Sequence, residues 1–567
     1  MAPLLEVEDL TFTYRRASEP SLRSVSLTVE AGQVVLVAGP SGCGKSTLIR
    51  AMNGLIPHAY SGALEGRVRV DGHVVAEMPL RDVARYVGTV LQDPAKQIVG
   101  STVEAELAFG PENLGLPRDD IRRRIGDVVE RTGIQPLVGR ETSQLSGGER
   151  QLVAVAGALM MQPRIFVVDE PLANLDPATA SRLLGLLRAM ADRGEAVVIV
   201  EHRVEDVMAL RPDLVLYLDA GREVYQGPMP GFLAIADATA VKLPFEVILD
   251  HARRGLPVGE PRDSARPSVP HEPSAPAASP RLEFADVRAG FDGLEVLHGI
   301  SAALRPRETV AVLGPNGSGK TTLFRTAMHL LPITSGEILV DGAPTRDRSV
   351  ADLAQVFGYV FQNPSQMLFA RTVREELLFG PRNLHRDPAA FDGLLADILS
   401  RTALDQLEDI LDRPPLTLSF GQQKRLALAI ALAMQPATLL LDEPSAGQDQ
   451  RTAHRFMDEV SAIPRLESLY FVTHDVDLAL TRADRILLLR EGRVVADGPP
   501  AQVIADEDRW IACNLRPTSL MRANARWRAG SAGFLDAATL AASVVAAEGH
   551  TDRPPAMEGG LSSIDGA

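Results

Sequence analysis

GPSGCGKST, at Gly39 to Thr47, and GPNGSGKTT, at Gly314 to Thr322, decide the fold of this 567-residue chain. Each follows an apolar, strand-like run (QVVLVAG, ETVAVLG) and precedes a helix-like stretch, the context in which GxxxxGK[ST] signifies phosphate binding. Glycines let successive backbone N–H groups curl around phosphate oxygens at a helix N-terminus, where the helix dipole favours negative charge. The pattern assigns Lys45 and Lys320 to the β- and γ-phosphates and the hydroxyls of Ser46 and Thr321 to Mg²⁺. Gly39, Ser41, Gly42, Gly44 and Thr47 complete the first cradle; Gly314, Asn316, Gly317, Gly319 and Thr322 complete the second. A lone match of this kind can be an ordinary glycine turn, but two in the same context point to a phosphate-binding domain present twice.

Length and composition agree with two domains plus appendages. An apolar share of 45% with mixed charges describes globular protein, and a net charge of −15 argues against a broad basic surface for nucleic acid. The two cysteines, Cys43 and Cys513, imply no disulfide framework and point to a reducing compartment. Cys43, inside the first loop, reads either as a redox switch or as a small residue that fits there. The start, MAPLLEVEDL, has no basic region followed by an apolar stretch, and nowhere do about 18 apolar residues run together, so neither a signal peptide nor a membrane span is expected. Five lysines stand against 53 arginines. Lysine at both loops against that background marks a chemical requirement for a compact charge on phosphate.

Further pairs follow in the same order: Gln92 in VLQDP and Gln362 in VFQNP, LSGGERQ (Leu145 to Gln151) and LSFGQQK (Leu418 to Lys424), the Asp-Glu pairs of FVVDEP and LLLDEP, and His202 in IVEHR with His474 in FVTHD. Offsets between 270 and 275 residues make this one domain duplicated, with a period far too long for a solenoid. Residues 1–252 and 281–508 are the expected domains, joined by a Pro-rich linker over 253–280 and followed by a C-terminal extension over 509–567. Ala523 to Val545 has helical character, whereas the last eighteen residues, from His550, have the composition of a disordered tail. Short β-branched runs (VVLVA, FVVD, AVVIV; TVAVL, TLLLD, LYFVT) alternating with amphipathic stretches predict parallel strands buried under helices, an α/β fold.

An apolar strand ending in Asp-Glu suits phosphoryl transfer. Asp169 and Asp442 are expected to hold Mg²⁺ directly or through water, and Glu170 and Glu443 to orient and deprotonate the attacking water. His202 and His474, each after a β-rich run, can contact the γ-phosphate and keep that water in line. Gln92 and Gln362 can supply a Mg²⁺ ligand and sense the γ-phosphate.

Together these motifs closely resemble the nucleotide-binding domains of the ATP-binding-cassette family, over roughly Leu4 to Ile235 and Leu282 to Asp506, with LSGGERQ the most specific element. The resemblance implies two P-loop NTPase domains in tandem, paired head to tail, with ATP and Mg²⁺ between the P-loop of one half and the LSGG-type signature of the other. Ser146, Gly147 and Gly148 then face the nucleotide on Lys320, and Ser419 and Gly421 the nucleotide on Lys45. Tyr14 and Phe291 stand 31 and 29 residues before their lysines, where the family places an aromatic that stacks on adenine; stacking is the favoured reading of both and core packing the alternative. Phe420 departs from the signature by replacing its first glycine, and SAGQD (Ser445 to Asp449) differs from LANLD (Leu172 to Asp176). A bulky Phe420 would crowd the phosphate on Lys45, so unequal sites are expected.

After each Gln, QDPAKQIVGSTVEAELAFGPENL (Gln92 to Leu114) and QNPSQMLFARTVREELLFGPRNL (Gln362 to Leu384) repeat at identical spacing. This stretch resembles that of energy-coupling-factor importers of the cobalt and vitamin type, which implies a transmembrane coupling subunit, a small solute-binding membrane subunit and peripheral attachment at the cytoplasmic face of the membrane. In that setting Glu106 and Glu376 offer carboxylates to arginines of the membrane partner; alternatively they lie on a solvated helix face. Two other readings stay open: a soluble twin-cassette translation factor on ribosomes, whose joint would be a charged helical hairpin rather than a proline-rich one, and a sugar- or peptide-type importer ATPase. The cargo, a vitamin, vitamin precursor or metal ion, is not written in the chain, although GLIPHAYSG (Gly54 to Gly62) is similar to fused members associated with thiamine-precursor uptake.

Overall fold

A computed structural model describes residues 3–172, 175–261, 279–291, 293–464, 466–527 and 534–550. In the first half Val34–Ala38, Ala196–Val200, Ile165–Asp169 and Val87–Val90 lie parallel, with Leu214–Asp219 on the other side of Val34–Ala38 and Arg222–Gly227 antiparallel at the edge. The second half repeats the order with Thr309–Leu313, Ser468–Val472, Thr438–Asp442 and Phe357–Val360, extended by Arg485–Arg490 and Arg493–Gly498. The inner strands are buried on both faces, which is why they read as unbroken apolar runs.

A second sheet in each half was not evident from those runs. Leu5–Tyr14 pairs antiparallel with Leu22–Val29 and Gly62–Val70, and Leu282–Phe291 does the same with Leu294–Leu304 and Ile333–Val340. Its strands alternate, with Leu5, Val7, Leu10 and Phe12 buried, as a sheet with one solvated face must. The helices Lys45–Met52 and Lys320–Ala327 are wedged between the two sheets of their halves.

Arg253, counted by composition in the linker, is instead the last residue of the helix Phe245–Arg253, where its Nε donates to Glu548 at 3.0 Å. The remainder of the expected linker from residue 262 to 278, and the expected tail from residue 551, lie outside the described residues. The C-terminal extension forms Ser519–Trp527 and Ala537–His550 and crosses between the halves. Trp510, Cys513, Leu515 and Met521 join the core of the second half, while Leu520, Ala523, Leu535, Leu540, Ala541 and Val544 join that of the first. Ser519 fixes the crossing, its N–H donating to Glu205 at 2.8 Å and its hydroxyl accepting from the Phe245 N–H at 2.8 Å.

Candidate functional site

Each glycine-rich loop closes on its own lysine. Lys45 Nζ donates to the carbonyls of Gly39 and Pro40, both at 2.8 Å, and Lys320 Nζ to those of Gly314 and Pro315 at 2.8 and 2.9 Å. The turn into the helix needs glycine at Gly44 (φ 106°), where a Cβ would fall 2.5 Å from the Ser21 carbonyl oxygen. Burial pushes the Cys43 thiol up, the wrong direction for a reactive thiolate, which favours the small-residue reading.

Ser46 and Thr321, second in their helices, lie beside the strand-end aspartates, and Thr321 Oγ1 donates to Asp442 at 3.1 Å. Burial, reinforced by the adjoining Glu170 and Glu443, pushes Asp169 and Asp442 each up to about 6. A buried carboxylate held that high, with a hydroxyl and a second carboxylate at hand, is a donor set short of positive charge. Such oxygen-rich chemistry fits a hard divalent cation.

Glu170 and Glu443 occupy left-handed backbone, φ 43° and 52°, pinned by N–H bonds of 2.9 Å to Val200 and Val472. Non-glycine residues hold this conformation at a cost of about 1–3 kcal/mol, and such strain clusters where a side chain must be aimed. The partners then differ. Gln92 Nε2 donates to Glu170 at 2.7 Å while His202 Nδ1 stands 3.8 Å away; in the second half His474 Nδ1 reaches Glu443 at 2.8 Å. Burial works to raise both carboxyls, but His202 and Lys45 on one side, and His474 and Lys320 on the other, outweigh it and hold them below the usual range.

Glu201, fully buried, accepts from the N–H groups of Leu172, His202 and Arg203 and stands 3.7 Å from His202 Nδ1. Burial works against charging His202, yet Glu170 and Glu201 outweigh it and raise its pKa above the ordinary value. The second half has Thr473 in this place, so the sequence offered no paired signal for Glu201.

The halves meet head to tail. Asp449 Oδ2 of the second half accepts from the Ser41 N–H in the first loop at 2.9 Å while its Oδ1 caps the helix Gln450–Ser461 through Thr452 N. Asp176 caps Pro177–Ala191, and its charge acts on Lys320. Ser146 and Ser419 open Gly147–Leu159 and Phe420–Ala433 through capping boxes with Glu149 and Gln422, so Gly147, Gly148 and Gly421 lie in the first turn. Tyr14 is tethered, its hydroxyl accepting from Arg50 at 2.7 Å and lying 3.2 Å from Thr47 Oγ1, with its ring edge-on to Phe12; Phe291 is exposed.

One departure of the second half gains a structural partner, and one expectation needs correction. Phe420 lies against Gly447 of its own half, where an added Cβ would fall 2.9 Å from its ring. The two departures of the second half are therefore one fitted pair, the bulk gained at Phe420 being offset by the side chain lost at Gly447, where LANLD has Asn174. Glu106 and Glu376 offer nothing to a partner's arginines, because both are buried. Glu106 accepts from Val99 N and Gly100 N at 2.8 and 2.7 Å, and Glu376 from Phe369 N and Ala370 N at 2.9 and 2.8 Å. Among the exposed residues of these helices, which include Glu104, Glu112, Arg374, Glu375 and Arg382, two phenylalanines stand at matching positions, Phe109 and Phe379, at 50% and 51%, with Val99 and Phe369 exposed on the loops that the carboxylates hold.

Comparison with known proteins accords with this geometry. The ABC transporter family profile matches residues 22–173 and 297–446. A protein of Methanosarcina mazei, provisionally named an ABC transporter ATP-binding protein, is 35% identical over 551 residues, covering 91% of this chain and 92% of that protein. One of Streptomyces coelicolor with the same description is 35% identical over 545 residues, covering 88% of this chain and 95% of its own length. Among solved structures, cbiO1 of Clostridium perfringens, described as part of the ABC transporter complex cbiONQ, is 32% identical over 42% of this chain and 96% of its own, with a TM-score of 0.37. The family profile on both halves, and relatives aligned along nearly their whole length, lead to one conclusion: the chain belongs to the ABC transporter family, as an ATP-binding protein with two cassettes.

Proposed function

We propose that both composite sites hydrolyse ATP and that the chain drives solute uptake through a membrane partner of the energy-coupling-factor kind. Lys45 and Lys320, with the loop N–H groups, hold the β- and γ-phosphates, and Tyr14 and Phe291 meet the adenine. Ser46, Asp169 and Gln92, and Thr321, Asp442 and Gln362, would hold Mg²⁺, which when bound neutralises charge on the phosphate oxygens. Glu170 and Glu443, aimed by their strained backbone, take the proton of the attacking water. His202 and His474 hold that water in line, and Ser146, Gly147, Gly148, Ser419 and Gly421 close each site from the opposite half. The contact of Asp449 with the Ser41 N–H supports this closure, because it joins the loop of one half to the turn beyond the Asp-Glu pair of the other.

Coupling to a membrane partner is supported chiefly by one observation: the twice-kept helices Val103–Asn113 and Val373–Asn383 present equivalent exposed phenylalanines, Phe109 and Phe379. Phe379 meets Phe369 edge to face at 4.8 Å, a ready-made apolar contact. Among the described residues no helix is long and apolar enough to cross a membrane. The partners proposed for this chain are a transmembrane coupling subunit and a solute-binding subunit, with the chain itself at the cytoplasmic face. The cargo class is a vitamin, vitamin precursor or metal ion. Glu170→Gln with Glu443→Gln tests the chemistry: ATP stays bound and turnover disappears, whereas normal turnover refutes the assignment. Phe109→Asp with Phe379→Asp tests the docking: co-purification with the membrane partner is lost while ATP binding persists, and undiminished association refutes it.

A further inference from the structure

Lys424, one of only five lysines, is 1% exposed on the signature helix Phe420–Ala433, where its Nζ donates to the carbonyls of Glu443 and Ala446 at 3.0 and 3.1 Å. Among the described residues no carboxylate pairs with it directly. Burial pushes this amine down to about 7 against the pull of Glu443 and Asp442, so it sits there at a cost in solvation. The two carbonyls it holds are the ends of the turn that begins at Glu443 in left-handed backbone and leads, three residues beyond Ala446, to Asp449. Asp449 in turn accepts from the Ser41 N–H in the loop of the other half. The same helix is capped by Ser419, which the proposed function assigns to the nucleotide on Lys45. One ammonium therefore touches the turn serving the Lys320 site, from a helix whose first residues serve the Lys45 site. The matching residue in the first half is Gln151, a shorter side chain without charge.

We infer that Lys424 is a positioning residue that locks the turn from Glu443 to Asp449 to the signature helix, thereby setting the aim of Glu443 and joining the two ATP sites asymmetrically. The strut is present in one half only, since the buried Nε2 of Gln151 has no hydrogen-bond partner among the described residues. Closing a signature helix on the nucleotide at Lys45 moves the carbonyl anchor of Glu443 at Lys320, so each turnover at one site is mechanically registered at the other.

The role of Lys424 rests on Glu443 as the water-activating group, and full-length variants separate the two ideas. In a Glu170→Gln chain only the Lys320 site turns over. Adding Glu443→Gln there tests the base alone, and persistent turnover overturns that assignment without touching Lys424. Adding Lys424→Met is expected to lower kcat about tenfold while KM for ATP stays within about twofold, because the phosphate loop is intact and only the aim of the carboxylate is lost. Lys424→Gln, the residue that the first half carries in a folded setting, restores part of kcat. In a Glu443→Gln chain, where only the Lys45 site turns over, Lys424→Met gives a smaller loss, through Asp449 and Ser41. An unchanged kcat in the Glu170→Gln, Lys424→Met chain overturns the inference. Equal losses for Met and Gln, with KM rising in step and the melting midpoint falling, overturn it too, since that pattern belongs to a packing residue.

Discussion

Truncating Glu106 to alanine exposes what holds the surface between Gln92 and Leu114. In the native protein one carboxylate oxygen accepts two backbone N–H bonds, from Val99 at 2.8 Å and Gly100 at 2.7 Å, in a buried position. Alanine leaves both donors without a partner, each costing about 1–3 kcal/mol where water cannot replace the bond. Val99 is exposed enough for water to recover part of its share, so the sum falls near 3 kcal/mol rather than at the upper end of that range. For a cassette of this size each kcal/mol moves the melting midpoint by about 2–4 °C, which predicts a fall of roughly 6–12 °C in the first transition by scanning calorimetry. Glu106→Gln keeps an acceptor at the same place and loses only the charge assistance, about 1 kcal/mol. Glu106→Arg, by contrast, directs two N–H dipoles at a buried cation and abolishes folding of the cassette. Hydrogen exchange at Gly100 gives the local measure, with faster exchange in the alanine variant. A midpoint shift below about 2 °C, or equal damage from Gln and Ala, would refute the anchoring role.

Glu170→Gln and Glu443→Gln, made singly, lower ATP turnover by different factors, since His202 stands 3.8 Å from the first carboxylate and His474 2.8 Å from the second; equal losses count against asymmetry. Phe420→Gly and Gly447→Asn, made together to copy the first half, cost less stability than the sum of the single changes, because Asn alone collides with the Phe420 ring; additive melting shifts argue against the fitted pair. Glu201→Gln lowers the pKa of His202 measured by NMR. A histidine raised above its ordinary 6.5 contributes stability that is full below that value and is lost as pH rises through the folded pKa, so the variant loses less stability as pH rises above 6.5; an unmoved titration sinks this account.

Much of the site was legible because phosphate chemistry confines residue types to short segments: loop, lysine, hydroxyl, and an Asp-Glu pair at a strand end. The second sheet was legible in principle, since Leu5, Val7, Leu10 and Phe12 nearly alternate, but a bulge between Glu8 and Thr11 breaks the period. Glu106 was misjudged although its spacing carried the signal. It lies on the same helical stripe as Val103, Leu107 and Pro111, and a carboxylate on an apolar stripe is bound inward. The fit of Phe420 to Gly447 and the reach of Asp449 to Ser41 join residues far apart in the chain, so no local pattern reveals them. Lys424 was visible as a rare lysine, yet its targets are backbone carbonyls, which leave no mark in a sequence.

The C-terminal helices give the order of synthesis a physical meaning. Leu520, Ala523, Leu535, Leu540, Ala541 and Val544 complete the apolar core of a half whose own strands end at Gly227. At about 5–20 residues per second of translation, the interval from Arg253 to Leu520 is on the order of tens of seconds. The half made first therefore waits, with part of its core uncovered, until the half made second has left the ribosome. A chain cut short after the second signature carries both glycine-rich loops and still shows an unsealed apolar face, so the helices Ser519–Trp527 and Ala537–His550 seal the first half only after both phosphate loops have been made.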